Sequence, residues 1–537
     1  MTETERAPHT PAANQRPYGL RLALFAGLLL WLSHPAPALW PIAWFGIVPL
    51  ITGVTRAVRL RQAVWRGYIF GWVYLGLVWY WTGLTIVAWT HSIIGWAAWF
   101  GLTLILASFY ALWAGVIWTI SRKATGWAKL LGVSAAWVVM EWLRTFGKLG
   151  MPWAQISYSQ VSVLPMVQIA EITGAYGVTF VLCLFNTALA DWWTDRTSKQ
   201  TRIRLRVAAC VALLTWLYGA IRLSVPDRGP QLEVAAMQPN FRSLGDSNTF
   251  RDMLVFQNLT RATVETQKKR NVAAIELFVW PESAAPQDAI HDYQTYMLLR
   301  DLTQEYDTAL STGSRVVEPG VHAEYNSSVL IDREGAVTRY DKRQLVPFGE
   351  FIPYRETLPS FLDEIFQFPQ FDVSPGKGGA HPLVFRSRSG DTVALGPFIC
   401  YESVYPTYAR DMAHAGANLL VTQSNDDWFQ SSAAMDQHLS AVIMRAIENR
   451  RTVVRSTTTG ITCIIDSRGH IIGRVPRYTQ TAVVGKVTLN SLLTIYTRFG
   501  DWFVWLNLAV LAAILYRGRK AMVGGDDEGS KKQESKA

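Results

Sequence analysis

The chain has 537 residues, of which 50% are hydrophobic and only 17% are charged. Soluble proteins carry about 25% charged residues, so this composition disfavours a purely soluble protein, and the length exceeds that of one ordinary domain. The net charge of +10 does not indicate nucleic-acid binding, because the basic residues lie between apolar stretches.

Eight apolar stretches approach the roughly 20 residues that a membrane-spanning helix needs. They are residues 19–34, 38–54, 66–85, 92–121, 127–143, 164–192, 205–223 and 499–516. Arginine and lysine cluster before the first stretch and after the second, fourth, sixth and eighth. Because positive residues accumulate on the cytoplasmic side, both termini are predicted to be cytoplasmic. Residues 19–38 also resemble a secretory signal, but the stretches that follow at once favour an uncleaved helix.

This interpretation divides the chain into five parts. They are a cytoplasmic tail (1–18), a bundle of seven transmembrane helices (19–223), an extracytoplasmic α/β domain (224–498), a last transmembrane helix (499–516) and a cytoplasmic tail (517–537). The final stretch, VGGDDEGSKKQESKA, is polar and is predicted to be disordered. The 23 tryptophans and 20 tyrosines suit a protein with two membrane interfaces, where such side chains collect.

From residue 231 onward, short β-rich stretches alternate with amphipathic helices, which predicts a layered α/β domain with buried sheets. Strands are predicted at LEVAAMQ, AAIELFVWPE, ALSTGSRVV, NLLVTQSND and TVVRSTTTG, and helices at 248–269, 292–306 and 434–450. The segments SSVLIDREGAVTRY and ITCIIDSRGHIIGR each predict a hairpin around an Asp-x-x-Gly turn. Two similar hairpins suggest two related halves.

The four cysteines show no metal-binding pattern. Cys183, Cys210, Cys400 and Cys463 include no C-x-x-C pair, so a zinc or iron–sulfur centre is not expected. Cys183 and Cys210 lie in apolar stretches and are interpreted as packing residues. The residues around Cys400 leave open a core position, a disulfide with Cys463 and a nucleophile.

Three polar residues follow predicted strands: Glu282 in VWPES, Lys342 in RYDKRQLVPFGEF and Cys400 in TVALGPFIC. Such strand ends gather at one edge of an α/β sheet, where ligands bind. A thiol becomes nucleophilic when a carboxylate takes its proton. An ammonium and the backbone N–H after the cysteine can then stabilise an oxyanion. Taken alone, each residue also has an ordinary structural interpretation: a turn acid, a solvated lysine and a packing cysteine.

The segments VWPES, YDKRQLVPFGEFIP and ICYES resemble the carbon–nitrogen hydrolase (nitrilase) superfamily and its Glu-Lys-Cys triad. Nearly the whole chain is similar to the apolipoprotein N-acyltransferase family, because apolar spans lie before and after this domain. Further similar segments are RTFGKLGMPWAQISYSQ, TQSNDDWF and MRAIENRRTVVRSTTTGIT. This resemblance implies an αββα sandwich on an eight-helix bundle. It also implies a multi-pass protein of the bacterial inner membrane with a periplasmic catalytic domain.

The resemblance further implies the roles of single residues: Glu282 as general base, Lys342 as the oxyanion-stabilising residue, Cys400 as nucleophile, and Glu350, Tyr401 and Glu402 as supporting residues. Cys400 would take an acyl chain from a phospholipid and pass it to the α-amine of an apolipoprotein's diacylglyceryl-cysteine. No metal, diffusible cofactor or nucleic acid is expected, and the enzyme is expected to act as a monomer.

One stretch departs from the family pattern. MQPNFRSLGDSNTF lacks a tryptophan that the family often has, which puts acceptor or lipid contacts near 238–250 in doubt. The Phe- and Pro-rich segment 354–373 is interpreted either as a mobile lid that dips toward lipid or as a packed loop.

Two other functions remain open from the residues alone. One is a membrane-tethered amidase with the same triad, and the other is a transporter or receptor whose outer domain only binds a ligand. Intramembrane acids would favour transport. Glu141 is expected at the membrane interface and Glu171 beside a lipid-accessible cavity, and neither predicts a proton relay.

Overall fold

The computed structural model describes residues 16–241, 249–285, 287–321, 323–357 and 372–517. The ends of both predicted tails, most of the stretch 238–250 and most of the segment 354–373 lie outside the described residues. The described part has a helical region that precedes an α/β domain and a short helical segment that follows it.

The helical region consists mainly of apolar helices. Their bounds are Arg16–Ser33, Trp40–Trp44, Val48–Thr55, Leu60–Val78, Tyr80–Thr90, Ile94–Lys123, Gly126–Leu143, Ile156–Gln160, Leu164–Val167, Ala170–Thr173, Ala175–Thr194 and Lys199–Ser224. The helices after the α/β domain are Ile495–Phe499 and Trp502–Arg517.

Three helices within the described residues are long and apolar enough to cross a membrane. They are Ile94–Lys123, Ala175–Thr194 and Lys199–Ser224. Leu60–Val78 and Tyr80–Thr90 would add a fourth span if they acted together, but they meet at a bend of 53°. Shorter apolar helices cover Tyr18–Ser33, Trp40–Thr55 and Trp502–Arg517.

Two predicted spans differ from the structure in their continuity. The span 66–85 contains the 53° bend, which falls at Trp79, between Leu60–Val78 and Tyr80–Thr90. The prediction of one continuous span over 164–192 was wrong, because short helical turns precede Gly174 and an unbroken helix begins only at Ala175. Gly174 has a φ of 68°, and a Cβ there would lie 2.7 Å from the Tyr496 ring. A side chain would therefore be strained at this break.

Within the described residues, the α/β domain contains twelve strands. They are β1 Gln231–Gln238, β2 Leu277–Val279, β3 Ala309–Val317, β4 Glu324–Ile331, β5 Val337–Asp341, β6 Leu383–Arg386, β7 Thr392–Ile399, β8 Leu419–Ser424, β9 Val453–Thr457, β10 Cys463–Ile465, β11 Ile471–Arg474 and β12 Thr481–Thr488. They form two six-stranded sheets with the orders β12-β1-β2-β3-β4-β5 and β11-β10-β9-β8-β7-β6.

The two sheets repeat one topology. In the first, β1, β2 and β3 are parallel, and β4 and β5 are added antiparallel. In the second, β7, β8 and β9 are parallel, and β10 and β11 are added antiparallel. The two predicted hairpins are β4–β5 and β10–β11, so they occupy equivalent places in two related halves.

Alternate residues of β1 pack into two different layers. Val234 and Ala236 belong to a buried cluster that includes Val421 of the second sheet. Ala235 packs instead in a cluster with Phe256. Successive side chains of a strand point to opposite faces, so the two sheets pack face to face and helices cover their outer sides.

In the part of the domain that the structure describes, four helices form the outer layers. Thr249–Lys269 and Tyr293–Glu305 contact the first sheet, and Pro406–His414 and Ala434–Asn449 contact the second. The predicted αββα sandwich is therefore confirmed.

Candidate active site

The structure brings Glu282, Lys342 and Cys400 together. Lys342 follows β5 directly, Glu282 lies three residues after β2, and Cys400 follows β7. The first two strands belong to one sheet and the third to the other. The expectation of a single sheet edge was therefore wrong in detail, because the site forms where strand ends of two stacked sheets meet. All three side chains are buried.

Glu282 is held by donors on both of its carboxylate oxygens. Its Oε1 lies 3.2 Å from the Lys342 Nζ and accepts a 2.8 Å hydrogen bond from the Asn326 amide. Its Oε2 accepts the backbone N–H of Asn425 at 2.8 Å. Burial raises the pKa of Glu282, but the Lys342 ammonium and these hydrogen bonds together hold the pKa below its usual value. The group is therefore a carboxylate at neutral pH.

Lys342 lies between two acids. Its Nζ donates to the Oε1 of Glu350 at 2.9 Å, in addition to its contact with Glu282. Glu350 also accepts from the Asn326 amide and from the backbone N–H of Val346, both at 2.8 Å. Burial lowers the pKa of Lys342, but the two carboxylates together raise it by more. The net shift of this pKa is therefore upward. Glu350 thus holds the lysine ammonium in place.

Cys400 opens the short 3₁₀ helix Cys400–Val404 and has a φ of 49°. This left-handed backbone conformation is uncommon outside glycine. Burial raises the pKa of the Cys400 thiol, the Glu282 charge raises it further, and Lys342 opposes both effects. The resting state is therefore a protonated thiol beside an ionised carboxylate, which is the arrangement that general-base activation requires.

Glu402 connects the segment carrying Lys342 to the segment carrying Cys400. Its Oε1 accepts the backbone N–H of Arg343 at 2.7 Å and the Tyr340 hydroxyl at 2.8 Å. Its Oε2 accepts the backbone N–H of Ile399 at 2.7 Å. The side chain is fully buried. Its contacts fix the spacing of the lysine and the cysteine.

Tyr401 points toward the helical region. Its hydroxyl donates to the carbonyl of Gly150 at 3.1 Å and lies 2.7 Å from the Met151 sulfur. The Tyr405 hydroxyl donates to the same carbonyl. The Tyr401 side chain therefore anchors the loop before Ile156–Gln160 against the nucleophile segment.

A buried polar cluster behind Cys400 was not predicted from the sequence. It consists of Asp426, His438 and Arg455, none of which is exposed. Arg455 donates to both oxygens of Asp426 at 3.0 and 2.8 Å, and His438 Nε2 lies 3.0 Å from the Cys400 carbonyl oxygen. Asp426 follows β8, so the strand-end pattern that singles out Glu282 could have identified it. His438 lies inside a helix and gives no such signal.

The helical region closes one side of this cluster. The Trp153 ring stacks on His438 with the ring centres 5.6 Å apart. The neighbouring Gln437 accepts the indole N–H groups of Trp81 at 3.2 Å and Trp153 at 2.8 Å, and it donates to the Val78 carbonyl. The catalytic domain and the bent helix pair are thus joined next to the site.

The two acids singled out in the helical region have structural partners. Glu141 is buried and accepts from the Trp137 indole at 3.0 Å and the Ile156 backbone at 2.8 Å, and its expected position at the membrane interface stays a prediction. Glu171 is also buried and pairs with Arg222 and Arg450. Arg450 of the α/β domain covers this carboxylate, and the expected lipid-accessible cavity beside it stays a prediction.

Cys463 lies in β10, and all four cysteines are free in the structure. Cys400 and Cys463 therefore do not form the disulfide that the sequence left open.

Comparisons with known proteins match both regions. Residues 26–188 match the model of the apolipoprotein N-acyltransferase N-terminal domain, and residues 233–495 match that of carbon-nitrogen hydrolase. An apolipoprotein N-acyltransferase of Geobacter metallireducens is 35% identical over 526 residues, covering 95% of this chain and 98% of the relative. One of Azotobacter vinelandii is 32% identical over 518 residues, covering 93% and 94%. These matches confirm the predicted acyltransferase, and the chain belongs to the apolipoprotein N-acyltransferase family.

Proposed function

We propose that Cys400 carries the acyl chain as a thioester in a two-step, ping-pong reaction. The donor is a membrane phospholipid, and the acceptor is the N-terminal α-amine of an apolipoprotein's diacylglyceryl-cysteine. The observation that carries this proposal is the buried contact between Glu282 and Lys342, whose charges both act on the Cys400 thiol.

In the first step, the Cys400 sulfur attacks the ester carbonyl of the phospholipid while Glu282 takes the thiol proton. The carbonyl oxygen becomes an oxyanion, which the Lys342 ammonium stabilises. The tetrahedral intermediate collapses and breaks the ester C–O bond. Glu282 returns its proton to the leaving alkoxide, so a lysophospholipid departs and the thioester remains.

In the second step, the amine of the acceptor attacks the thioester carbonyl. Glu282 takes a proton from the amine nitrogen, and Lys342 again stabilises the oxyanion. The C–S bond breaks, the sulfur regains a proton from Glu282, and an amide-linked acyl chain leaves with the acceptor. Each group ends in its starting protonation state, so the cycle can repeat.

Glu350, Glu402 and Tyr401 support this chemistry without reacting in it. Glu350 holds the lysine through a 2.9 Å contact, and Glu402 links the lysine segment to the cysteine segment. Tyr401 ties the nucleophile segment to the helical region. These contacts support the assignment of all three as positioning residues.

The same proposal places the enzyme in the bacterial inner membrane as a multi-pass protein. Its catalytic domain, 224–498, would be periplasmic, both termini would be cytoplasmic, and seven spans would precede the domain and one would follow it. The three membrane-length helices and the basic clusters of the sequence support this topology. The bent pair of Leu60–Val78 and Tyr80–Thr90 and the shorter apolar helices, such as Trp502–Arg517, supply further candidates. Both substrates could then keep their acyl chains in the bilayer.

Mass spectrometry of the purified protein incubated with phospholipid alone tests the mechanism. We expect an added fatty-acyl mass on the Cys400 peptide, and we expect its loss when a diacylglyceryl peptide with a free amine is added. Cys400→Ala should remain folded and take up no acyl chain. The Cys463→Ala variant changes another buried free cysteine. It should still be acylated on Cys400. Acylation of a different residue, or normal turnover by Cys400→Ala, would refute the proposal.

A further inference from the structure

The buried cluster of Asp426, His438 and Arg455 ends at the backbone of Cys400. Arg455 lies 3.1 Å from the Nδ1 of His438 and forms two contacts with Asp426. On the other side of the ring, the Nε2 of His438 lies 3.0 Å from the Cys400 carbonyl oxygen. The Ser403 hydroxyl donates to the same oxygen at 2.7 Å.

These contacts determine which nitrogen of His438 carries the proton. An arginine side chain can only donate hydrogen bonds, so the Nδ1 that faces Arg455 accepts. The single Ser403 hydroxyl proton is directed to the Cys400 carbonyl, so it is not available to Nε2. Nε2 therefore carries hydrogen, which it shares between the adjacent Ser403 hydroxyl oxygen and that carbonyl. Burial and the Arg455 charge lower the pKa of His438, although Asp426, whose Oδ1 lies 3.4 Å from Nδ1, partly opposes them. The ring is thus neutral.

The Cys400 carbonyl consequently accepts the Ser403 hydroxyl and shares the Nε2 hydrogen with the Ser403 oxygen, so His438 holds this carbonyl both directly and through Ser403. The peptide unit between Cys400 and Tyr401 is planar, and its C=O and N–H point in opposite directions. Fixing the carbonyl from behind therefore fixes the direction of the Tyr401 N–H. Hydrogen bonding at the carbonyl also polarises the N–H of the same peptide unit.

His438 is itself held firmly. Trp153 stacks on one side of the ring, and Phe429 contacts it edge-on with the ring centres 5.4 Å apart. Cys400 needs such support, because its φ of 49° costs conformational energy that the surroundings must overcome.

We infer that His438, oriented by Arg455 and Asp426, is a positioning residue that aims the Tyr401 backbone N–H at the oxyanion of the acyl-transfer intermediate. This N–H would be the second oxyanion donor beside Lys342. The inference rests on the proposed role of Cys400 as the nucleophile. It assigns His438 no contact with substrate.

Two rates measured on the same protein separate this role from a merely structural one. Thioester formation from phospholipid passes through an oxyanion, whereas alkylation of Cys400 by iodoacetamide does not. His438→Leu should slow thioester formation about tenfold or more, the range expected when an oxyanion donor is weakened. The alkylation rate should stay within about twofold of the wild-type rate, since loss of one hydrogen bond to the carbonyl leaves the thiol in place.

His438→Gln is the matched variant. The amide nitrogen of glutamine can occupy the place of Nε2 and donate to the Cys400 carbonyl, so thioester formation should recover most of the wild-type rate. Ser403→Ala removes the other hydrogen bond to the same oxygen, and a smaller loss of thioester formation with unchanged alkylation is expected.

Wild-type rates of thioester formation in His438→Leu would overturn the inference, and so would a parallel fall of both rates. If His438→Leu does not accumulate as folded protein, the Ser403→Ala variant tests the inference instead. A wild-type rate of thioester formation in Ser403→Ala would then overturn the inference. Absence of a Cys400 thioester in the wild-type protein would instead refute the proposed function on which the inference depends.

Discussion

Opposing effects on the Cys400 thiol define the site at the scale of single residues. Burial and the Glu282 carboxylate raise the pKa of this thiol, and the Lys342 ammonium lowers it. Glu282 remains ionised because Lys342, Asn326 and Asn425 all contact its oxygens. The proposed nucleophile is thus protonated at rest, which protects it from unproductive reactions of a free thiolate.

Glu282→Gln should shift the pH profile of Cys400 alkylation by iodoacetamide to lower pH. The substitution removes a negative charge that raises the pKa of the thiol, so the thiolate should form at lower pH. Thioester formation should nevertheless be lost, because glutamine cannot accept the proton. Alkylation is followed by mass spectrometry of the Cys400 peptide at a series of pH values.

The control for this experiment is Glu305→Gln, which removes an acid whose side chain is half exposed, at 51%. Its alkylation profile should coincide with that of the wild-type protein. An unchanged or upward-shifted profile in Glu282→Gln would contradict the proposed electrostatics of the site.

At the scale of elements, β3 supports the segment that carries Glu282. The N–H of Gly313 donates to the Pro281 carbonyl at 3.1 Å, and its own carbonyl accepts the Ala285 N–H at 2.9 Å. A Cβ at Gly313 would lie 2.6 Å from the Cα of Glu282 and 2.5 Å from the Ser283 nitrogen. These are backbone atoms, so neither can move aside without displacing Glu282, the proposed general base.

Gly313→Ala should therefore weaken both stability and activity. We expect a loss of about 1–3 kcal/mol in the free energy of unfolding, as for other overpacked core positions. Displacement of the Glu282 carboxylate should also slow thioester formation by at least about tenfold. Thermal unfolding and the rate of Cys400 acylation measure the two effects.

Gly379→Ala provides the comparison, because no atom would lie within 4 Å of a Cβ at this position. This variant should match the wild-type protein in both measurements. Equal behaviour of the two alanine variants would show that β3 does not constrain Glu282.

The proposed triad could be predicted because each of its members follows a predicted strand and lies in a segment, VWPES, YDKRQLVPFGEFIP or ICYES, that resembles the carbon–nitrogen hydrolase family. The meeting of two sheets could not be, since no local pattern shows which strands of different sheets face each other. The same limit explains Asn326, which bonds to both Glu282 and Glu350. Asn326 lies within β4 and is separated along the chain from Glu282 by 44 residues and from Glu350 by 24 residues.

The helical region was harder to predict in detail. The sequence around Trp79, LVWYWTG, contains no proline at the bend, so hydropathy alone indicated one continuous span. Glu141 was assigned to the interface because it lies near the end of an apolar stretch. Its burial depends on donors from two distant segments, Ile156 and Thr179. By contrast, Gly174 was visible in the sequence and could have marked the break in the sixth span.

At the scale of the whole molecule, topology is the proposal with the most direct test. Tyr293 lies in the catalytic domain and is 74% exposed, and Thr197 is an exposed residue of the loop between Ala175–Thr194 and Lys199–Ser224. In a Cys210→Ala background, Tyr293→Cys should react with a membrane-impermeant maleimide in intact spheroplasts. Thr197→Cys should react only after lysis.

The reverse labelling pattern would contradict the proposed orientation. Cys210 is removed because it is the exposed one of the four native cysteines. Labelling of both introduced cysteines in sealed spheroplasts would likewise contradict a periplasmic catalytic domain.

The junction between the two regions means that the α/β domain cannot be treated as a detachable enzyme. Excising residues 225–498 would leave Arg450 without its Glu171 partner and uncover the His438 ring that Trp153 shields. A fragment of this kind should be poorly soluble and should unfold at a lower temperature than the full chain. Scanning calorimetry and solubility after expression check this. Inhibitor screens or crystal trials built on a shortened, water-soluble version would therefore sample an altered pocket.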